Sequence, residues 1–201
     1  MKEHSPIKIE EGIQYWDNCY KENDTPWDLH TISYPLKNYI DRLTDRNLSI
    51  LIPGCGNAHE AAYLLDQGFR NVTLIDLSPT LTSALRSKFK GLPVKIINAN
   101  FFDHQGKYDL VLEQTFFCAI DPSLRKAYVN HCYELLNDDG RIAGVFFNKK
   151  FAETEPPYIA SDQEYHELFE SRFHFNEFVP CTTSVGPRLG YEVSFEFQKK
   201  V

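Results

Sequence analysis

A five-residue apolar run, Leu48-Ser49-Ile50-Leu51-Ile52, breaks off at Pro53-Gly54-Cys55-Gly56, and helical spacing resumes directly afterwards over 58–66. Proline and two glycines stop a strand and turn the chain, so this stretch reads as a buried strand feeding a helix. The unit recurs. The run 72–75 ends at Asp76, and Ser78-Pro79 then opens a helix through Phe89. Runs 94–97 and 108–112 are two more short strands, 122–136 carries a long helical pattern, and Asp139-Gly140 turns into a fifth strand over 141–147. Strands joined by helices in this order form a parallel sheet covered on both faces by right-handed crossovers. Past Pro156-Pro157 and a helix over 162–170, the runs 173–179 and 191–197 have no helix between them and are expected to pair as an antiparallel hairpin. The expected fold is α/β, a doubly wound, mainly parallel seven-stranded sheet ending in that hairpin. No repeat or linker divides the 201 residues, so one domain over 1–201 is expected. Helices over 10–21, with Ile9, Ile13, Trp16 and Tyr20 on one stripe, and over 35–43 make 1–45 an N-terminal helical cap.

Charge narrows the partners. Asp and Glu number 28 against 21 Lys and Arg, a formal net charge of −7, the opposite of the basic footprint that phosphate backbones require. No apolar run approaches the ~20 residues needed to span a bilayer, and Met1 to Pro6 lacks the apolar stretch of a signal peptide. A cytoplasmic protein with a small-molecule substrate, and neither nucleic acid nor membrane as partner, is the expectation; oligomeric state leaves no mark. The five cysteines (Cys19, Cys55, Cys118, Cys132, Cys181) show no close pairing and read as free thiols. The histidines lack metal-ligand spacing: His59 is expected at an exposed helix start, and His30, His104, His166 and His174 lie in polar or mixed stretches, so no metal is expected.

Gly54 and Gly56 stand between a strand and a helix, where absent side chains let a ligand approach the backbone. Such a turn is also an ordinary tight connection; what strengthens it is Asp76, about twenty residues on, at the carboxyl end of the next strand, where an acid binds both ribose hydroxyls. Together they read as an adenosine site. The third glycine of a dinucleotide Gly-x-Gly-x-x-Gly is missing, its place held by His59. That glycine serves close packing near a pyrophosphate, which S-adenosylmethionine lacks, so the departure favours a methyl donor over NAD. The transferred methyl sits on a sulfonium, whose charge aromatic faces stabilise at ~0.5–2 kcal/mol each, and Trp16, Trp27, Phe116, Phe117 and Tyr158 are candidates. Trp16 fits a helical stripe and reads equally well as a packing residue. Trp27 lies in a loop between Pro26 and Asp28 with no periodicity to explain it, which suits a lid over the cofactor.

Tyr15-Trp16 with Thr25-Pro26-Trp27, Leu51 to Gly56, Thr115-Phe116-Phe117-Cys118-Ala119-Ile120, Pro156-Pro157-Tyr158 and Pro187-Arg188-x-Gly190-x-Glu192 together resemble the thiopurine S-methyltransferase family, especially its thiol/halide methyltransferase branch. The resemblance runs from Tyr15 to the final strand and implies a Rossmann-like class I methyltransferase domain that uses S-adenosyl-L-methionine and releases S-adenosyl-L-homocysteine. It implies that Trp16, Trp27, Gly54, Gly56, Asp76, Leu77 and Glu113 contact the cofactor, with Asn100 and Phe101 near the adenine. Phe116, Phe117, Tyr158 and Arg188 fall to the substrate, and Tyr158 and Glu113 to catalysis. The chain departs at Asn100, where the family often has an acid, and at Glu113-Gln114, where it commonly shows Asp-Tyr or Asp-Arg; Gln114 in place of Arg argues against a thiopurine.

In-line transfer to sulfur needs neither metal nor covalent intermediate, and alignment and exclusion of water supply most of the rate. A thiol of pKa ~8.5 is partly ionised near neutrality, so a base is optional: Glu113, Tyr158 or water could take the proton, and Glu113 reads equally as an acceptor of backbone bonds. Glu155-Pro156-Pro157-Tyr158 looks like the Pro-Pro-Tyr motif of amine methyltransferases, but it follows the fifth strand rather than the fourth. Arg188 either orients a substrate carboxylate, covers the pocket or is a solvated charge. The alternatives are an NAD-dependent oxidoreductase on a similar sheet and a non-catalytic S-adenosylmethionine-binding protein. Asp76→Ala should weaken S-adenosylhomocysteine binding by roughly 1–3 kcal/mol in calorimetry, as loss of charged hydrogen bonds to a ribose would; unchanged affinity would move the adenosine site elsewhere.

Overall fold

The computed structural model describes residues 9–150 and 156–201, with side chains from residue 12 onward; Met1 to Pro6, Glu155 and the side chain of Ile9 lie outside the described residues. Two helices, α1 (Ile9–Glu22) and α2 (Tyr34–Arg42), precede β1 (Ile50–Pro53). The alternation then runs α3 (His59–Asp66), β2 (Val72–Asp76), α4 (Pro79–Lys88), β3 (Val94–Asn98), β4 (Tyr108–Gln114), α5 (Arg125–Leu135) and β5 (Leu136–Phe147), followed by α6 (Asp162–Phe169), β6 (Phe173–Pro180) and β7 (Glu192–Lys199). The seven strands lie in the order β3-β2-β1-β4-β5-β7-β6. The first five are parallel, and β7 is antiparallel to both β5 and β6. The expected hairpin is therefore present, with β7 inserted between its partner and β5.

Strand alternation divides the core in two. Ile50, Ile52, Leu74, Leu110 and Leu112 face α2, α3 and α4 with Leu36, Ile40, Leu64 and Leu81. Val111, Ile142, Phe146, Phe195 and Phe197 face α5 and α6 with Tyr128, Tyr165 and Phe169, as the two-residue strand period requires. Phe146 is sandwiched there, its ring 4.5 Å from Tyr165 and 3.8 Å from Phe195, stacked on both. β1 has β2 on one side and β4 on the other, so the winding reverses beside it and opens a crevice at the strands' carboxyl ends.

Three of the boundaries that differ from expectation have a visible cause. The first strand begins at Ile50, because Ser49 spends its amide and hydroxyl on the Asp109 carboxylate (2.8 and 2.7 Å). The helix expected over 122–136 is a 3₁₀ turn, Pro122–Leu124, capped by Asp121, followed by α5. The fifth strand starts at Leu136 rather than 141, since Leu136 pairs with Tyr108 and the register slips before Arg141 pairs with Leu110. Asp139-Gly140 thus lies inside an irregular strand. His104 is also buried despite the polar stretch around it, its Nε2 2.7 Å from the Tyr108 hydroxyl.

A buried acid fastens helix α1 to α4. Buried Asp17 accepts from the Ser78 hydroxyl at 2.7 Å and the Thr80 amide at 2.9 Å, at the N-terminus of α4, and pairs with Lys21 at 2.7 Å. Burial alone would raise its pKa, but the bonds from Lys21, Ser78 and Thr80 outweigh it and hold the group well below the usual carboxylate range. A folded pKa below the ordinary 3.8 makes this contribution complete above about pH 4 and lost as pH falls further. Asp17→Ala should destabilise the fold by about 1–2 kcal/mol at pH 7, read by urea denaturation, with the difference from wild type shrinking below pH 4.

Candidate functional site

The floor of the crevice is the turn after β1. Gly54 and Gly56 adopt φ of +53° and +51°, which favours glycine, and Ala58 continues the left-handed path at +53° into α3. A Cβ on Gly54 would stand 2.2 Å from the Phe116 ring, so that ring lies directly on the turn. At the end of β2 the buried Asp76 carboxylate accepts from the Ser78 amide at 3.0 Å and the Gly56 amide at 3.3 Å. Burial pushes its pKa up to about 6, with amides of Ser78, Gly56 and Leu77 opposing. Sequence reasoning missed Asn98, whose side-chain amide donates to the Asp76 and Leu77 carbonyls at 3.1 and 2.9 Å. Its signal was its place at the carboxyl end of β3, in register with Asp76. Asn100 caps the 3₁₀ turn Phe101–Asp103 by accepting from the Phe102 amide, and buried Phe101 sets its edge 5.3 Å from Phe116.

The roof comes from α1 and the segment after it. Trp27 meets Trp16 and Tyr20 edge-on at 5.2 and 6.1 Å. Tyr20 was read only as a stripe residue, yet its hydroxyl lies 3.5 Å from where a Gly56 Cβ would stand. Burial and the Asp76 charge push its pKa far up, so it stays a neutral phenol. Asp28 accepts from the Asn57 side chain at 2.5 Å and the His30 amide at 2.8 Å, and lies 2.8 Å from His59 Nε2 and 3.4 Å from His30 Nδ1. Burial raises the Asp28 pKa, but bonds from His30, Asn57 and His59 bring it below the ordinary value. His59 is thus a half-buried anchor for the roof rather than an exposed helix start. Arg188 is buried, donates to the Trp27 carbonyl at 2.6 Å and lies 3.7 Å from Glu192. Gln114, at the end of β4, accepts from the Ser33 hydroxyl at 2.7 Å.

The third wall follows β4. Glu113 is fully buried: one oxygen accepts from the Phe116 and Phe117 amides at 2.7 and 3.0 Å, the other from the Tyr128 hydroxyl at 2.8 Å. Burial raises its pKa to about 7, against the opposing bonds from Phe117, Tyr128 and Phe116. Thr115 takes φ +60° to make this bend. Phe117 turns away from the crevice and is enclosed by Tyr128, Phe146 and Tyr165. Tyr158 is buried, and its amide donates to the Cys118 carbonyl at 2.7 Å. Trp16, Trp27, Gly54, Gly56, Asp76, Leu77 and Phe116 therefore converge at the strand ends. Glu113 and Phe117 lie in the core beneath them.

These residues fit an adenosyl sulfonium. The turn has no room for a Cβ at Gly54, a buried carboxylate stands at the end of β2, and the aromatic rings of Trp16, Tyr20 and Trp27 cluster in the roof, with Phe116 on the turn itself. The fold is that of the class I S-adenosylmethionine-dependent methyltransferases. Solved structures of similar fold include the 1,6-didemethyltoxoflavin-N1-methyltransferase of Burkholderia thailandensis, with a TM-score of 0.75 at 18% identity over 100% of this chain and 93% of the other. A TehB-like S-adenosylmethionine-dependent methyltransferase from Corynebacterium glutamicum gives a TM-score of 0.67 at 19% identity, covering 96% and 98%. The model of the thiopurine S-methyltransferase family matches residues 12–186, and the chain belongs to that family. It is 28% identical over 184 residues to a probable thiol methyltransferase 2 of Arabidopsis thaliana (88% of this chain, 81% of the relative). It is 25% identical over 169 residues to thiocyanate methyltransferase 1 of Brassica oleracea (81% and 74%). The chain is an S-adenosylmethionine-dependent methyltransferase, and the oxidoreductase and non-catalytic alternatives fall.

Three buried acids around the crevice, Asp76, Glu113 and Glu60 on the first turn of α3, have folded pKa values of about 6, 7 and 7 against ordinary values of 3.8, 4.5 and 4.5, burial being the first cause in each. The folded chain keeps protons that the unfolded chain has released, so stability should fall as pH rises from about 4 to 7 and level off above. Glu113→Gln should flatten part of that slope in urea titrations across the window.

Proposed function

We propose that the acceptor is a small, soft nucleophile, a thiol, hydrosulfide or halide, methylated in a crevice that holds it by shape and polarisability rather than by charge. The observation that carries this is the aromatic enclosure of the glycine turn, together with the engagement of Arg188 by Trp27 and Glu192. That guanidinium is spent on the roof, so a carboxylate-bearing acceptor has no cation waiting there. Gln114, bonded to Ser33, supplies none either, which disfavours a thiopurine-like acceptor. The relatives' names, thiol and thiocyanate methyltransferases, point the same way.

In this reading residues 1–201 act as one domain in the cytoplasm, with 1–45 as a cap over the cofactor and neither nucleic acid nor membrane as partner. Asp76 takes the ribose hydroxyls, Leu77, Asn100 and Phe101 border the adenine, and Gly54 and Gly56 admit the amino-acid portion beneath Trp16 and Trp27. When bound, S-adenosylmethionine supplies a methyl group on a sulfonium. Phe116 and Tyr158 face the acceptor and exclude water, which strengthens the attraction between the aromatic faces and the positive centre. The crevice would align a sulfur or halide lone pair with that methyl group for in-line displacement of S-adenosylhomocysteine, and a thiol proton would leave to water. Glu113 holds the Phe116 loop in place through its amide bonds and is not the base for the thiol.

Incubation with S-adenosylmethionine and a panel of hydrosulfide, organic thiols, halides and thiopurines, read by mass spectrometry, tests the proposal. Methylated hydrosulfide, thiol or halide is expected; product from a carboxylate-bearing thiol or a thiopurine alone would overturn it. Tyr158→Phe should leave S-adenosylhomocysteine affinity within about twofold and lower turnover about tenfold or more. Glu113→Gln, which keeps an acceptor for the loop amides, should retain most turnover. Its loss would make Glu113 the base.

A further inference from the structure

Arg125, the first residue of α5, is 5% exposed, and none of the motifs noted in the sequence includes it. Its guanidinium joins three segments distant in sequence. Nη2 donates to the Tyr158 carbonyl at 3.0 Å, Nη1 pairs with Glu164 on α6 at 2.6 Å, and the plane lies 5.3 Å from the centre of the Phe117 ring. Phe117 carries one of the two amides that bind Glu113, and the Tyr158 amide donates back to Cys118 one residue along. The two peptide groups of Tyr158 are thus pinned from opposite sides, by the Cys118 carbonyl and by Arg125. An ion pair with Glu164, whose side chain is 41% exposed, would need only a lysine. Only a planar fork serves a carbonyl, a carboxylate and an aromatic face at once. Burying a cation with its Nε left without a partner is a poor way to gain stability, so the arrangement calls for another reason.

We infer that Arg125 is a positioning residue for the acceptor side: it sets the height of Tyr158 above the Phe116–Cys118 bend, and hence the dimensions of the space in which the nucleophile is aligned. The inference rests on the proposed acceptor role of Tyr158, and alignment at this level is worth a large factor in rate. Glu164 orients the guanidinium from the solvent side, and Phe117 fixes its plane. The cofactor side, built from Gly54, Asp76 and Trp27, shares none of these contacts.

The test compares wild type, Arg125→Lys, Arg125→Ala and Glu164→Gln, with hydrosulfide as the probe acceptor. Arg125→Lys should keep S-adenosylhomocysteine affinity within about twofold by calorimetry while KM for hydrosulfide rises about tenfold and kcat falls less. Millimolar guanidinium should recover part of that KM in Arg125→Ala, and Glu164→Gln, which keeps the Tyr158 bond, should shift KM by less than about twofold. Amide hydrogen exchange at Tyr158 should quicken about tenfold or more in Arg125→Lys and stay unchanged at Gly56. Unchanged KM, cofactor affinity and KM worsening in parallel, or unchanged exchange at Tyr158 would each overturn the inference. If Arg125→Ala does not fold, the lysine variant and Glu164→Gln decide it. Wild type making no methylated product from any acceptor would defeat the proposed function instead, and the exchange measurement would still judge Arg125.

Discussion

Phe116 lies so close to Gly54 that a single added carbon on the turn would occupy the ring's own space. That contact is possible only because the chain bends sharply after β4, through a left-handed Thr115, and the bend is held by Glu113 taking two consecutive amides on one oxygen. A carboxylate is suited to this, since it accepts several bonds at once and has no donor to misplace. Its other oxygen takes the Tyr128 hydroxyl, which ties the bend to α5. Floor, bend and helix thus depend on one buried acid whose burial raises its own pKa to about 7. The energetic cost of keeping that group out of water is concentrated at the wall where the reaction is proposed to occur.

The roof is assembled by a different means. Asp17 fastens α1 to the N-terminus of α4, Asp28 fastens the following segment to the glycine turn, and Arg188 reaches from just before β7 to the Trp27 carbonyl. Asp17 and Asp28 both have lowered pKa values because they gain donors, whereas Asp76 and Glu113 beneath have raised ones because burial dominates. Latches and floor therefore respond to acid in opposite directions. His59 shows how a departure from a motif becomes an asset: where a dinucleotide site wants a glycine, this chain places an imidazole that meets Asp28.

The sheet was legible because its signals are local. A β-branched run before Pro53-Gly54, an acid ending the next strand and a Pro-initiated helix each declare themselves within a few residues, and all stand where expected. Boundaries failed where a side chain outbid the ladder, as Ser49 does with Asp109, or where a bulge lengthened a strand, as before Arg141. At the strand ends, the places of Gly54 and Asp76 and the loop position of Trp27 were readable from the sequence alone. Asn98, Tyr20 and Arg125 were not, because each acts on a partner more than twenty residues away, and nothing in a run of neighbours marks that. Phe117 shows the converse: it sits in the most recognisable stretch of the chain, yet alternation along the bend turns Phe116 toward the turn and Phe117 into the core.

The strand order has a bearing on how the protein comes into being. β5 and β6 are joined only through β7, which follows both in the chain. During synthesis the N-terminal half, β1 to β4 with its glycine turn and Asp76, can close as soon as β4 and α5 have emerged. β6 must wait without a neighbour until β7 slides in beside it. Arg188, just ahead of β7, reaches the Trp27 segment in the same late step. A nascent chain therefore carries a formed glycine turn under a roof that is not yet latched, and the last strand and the last fastening settle together.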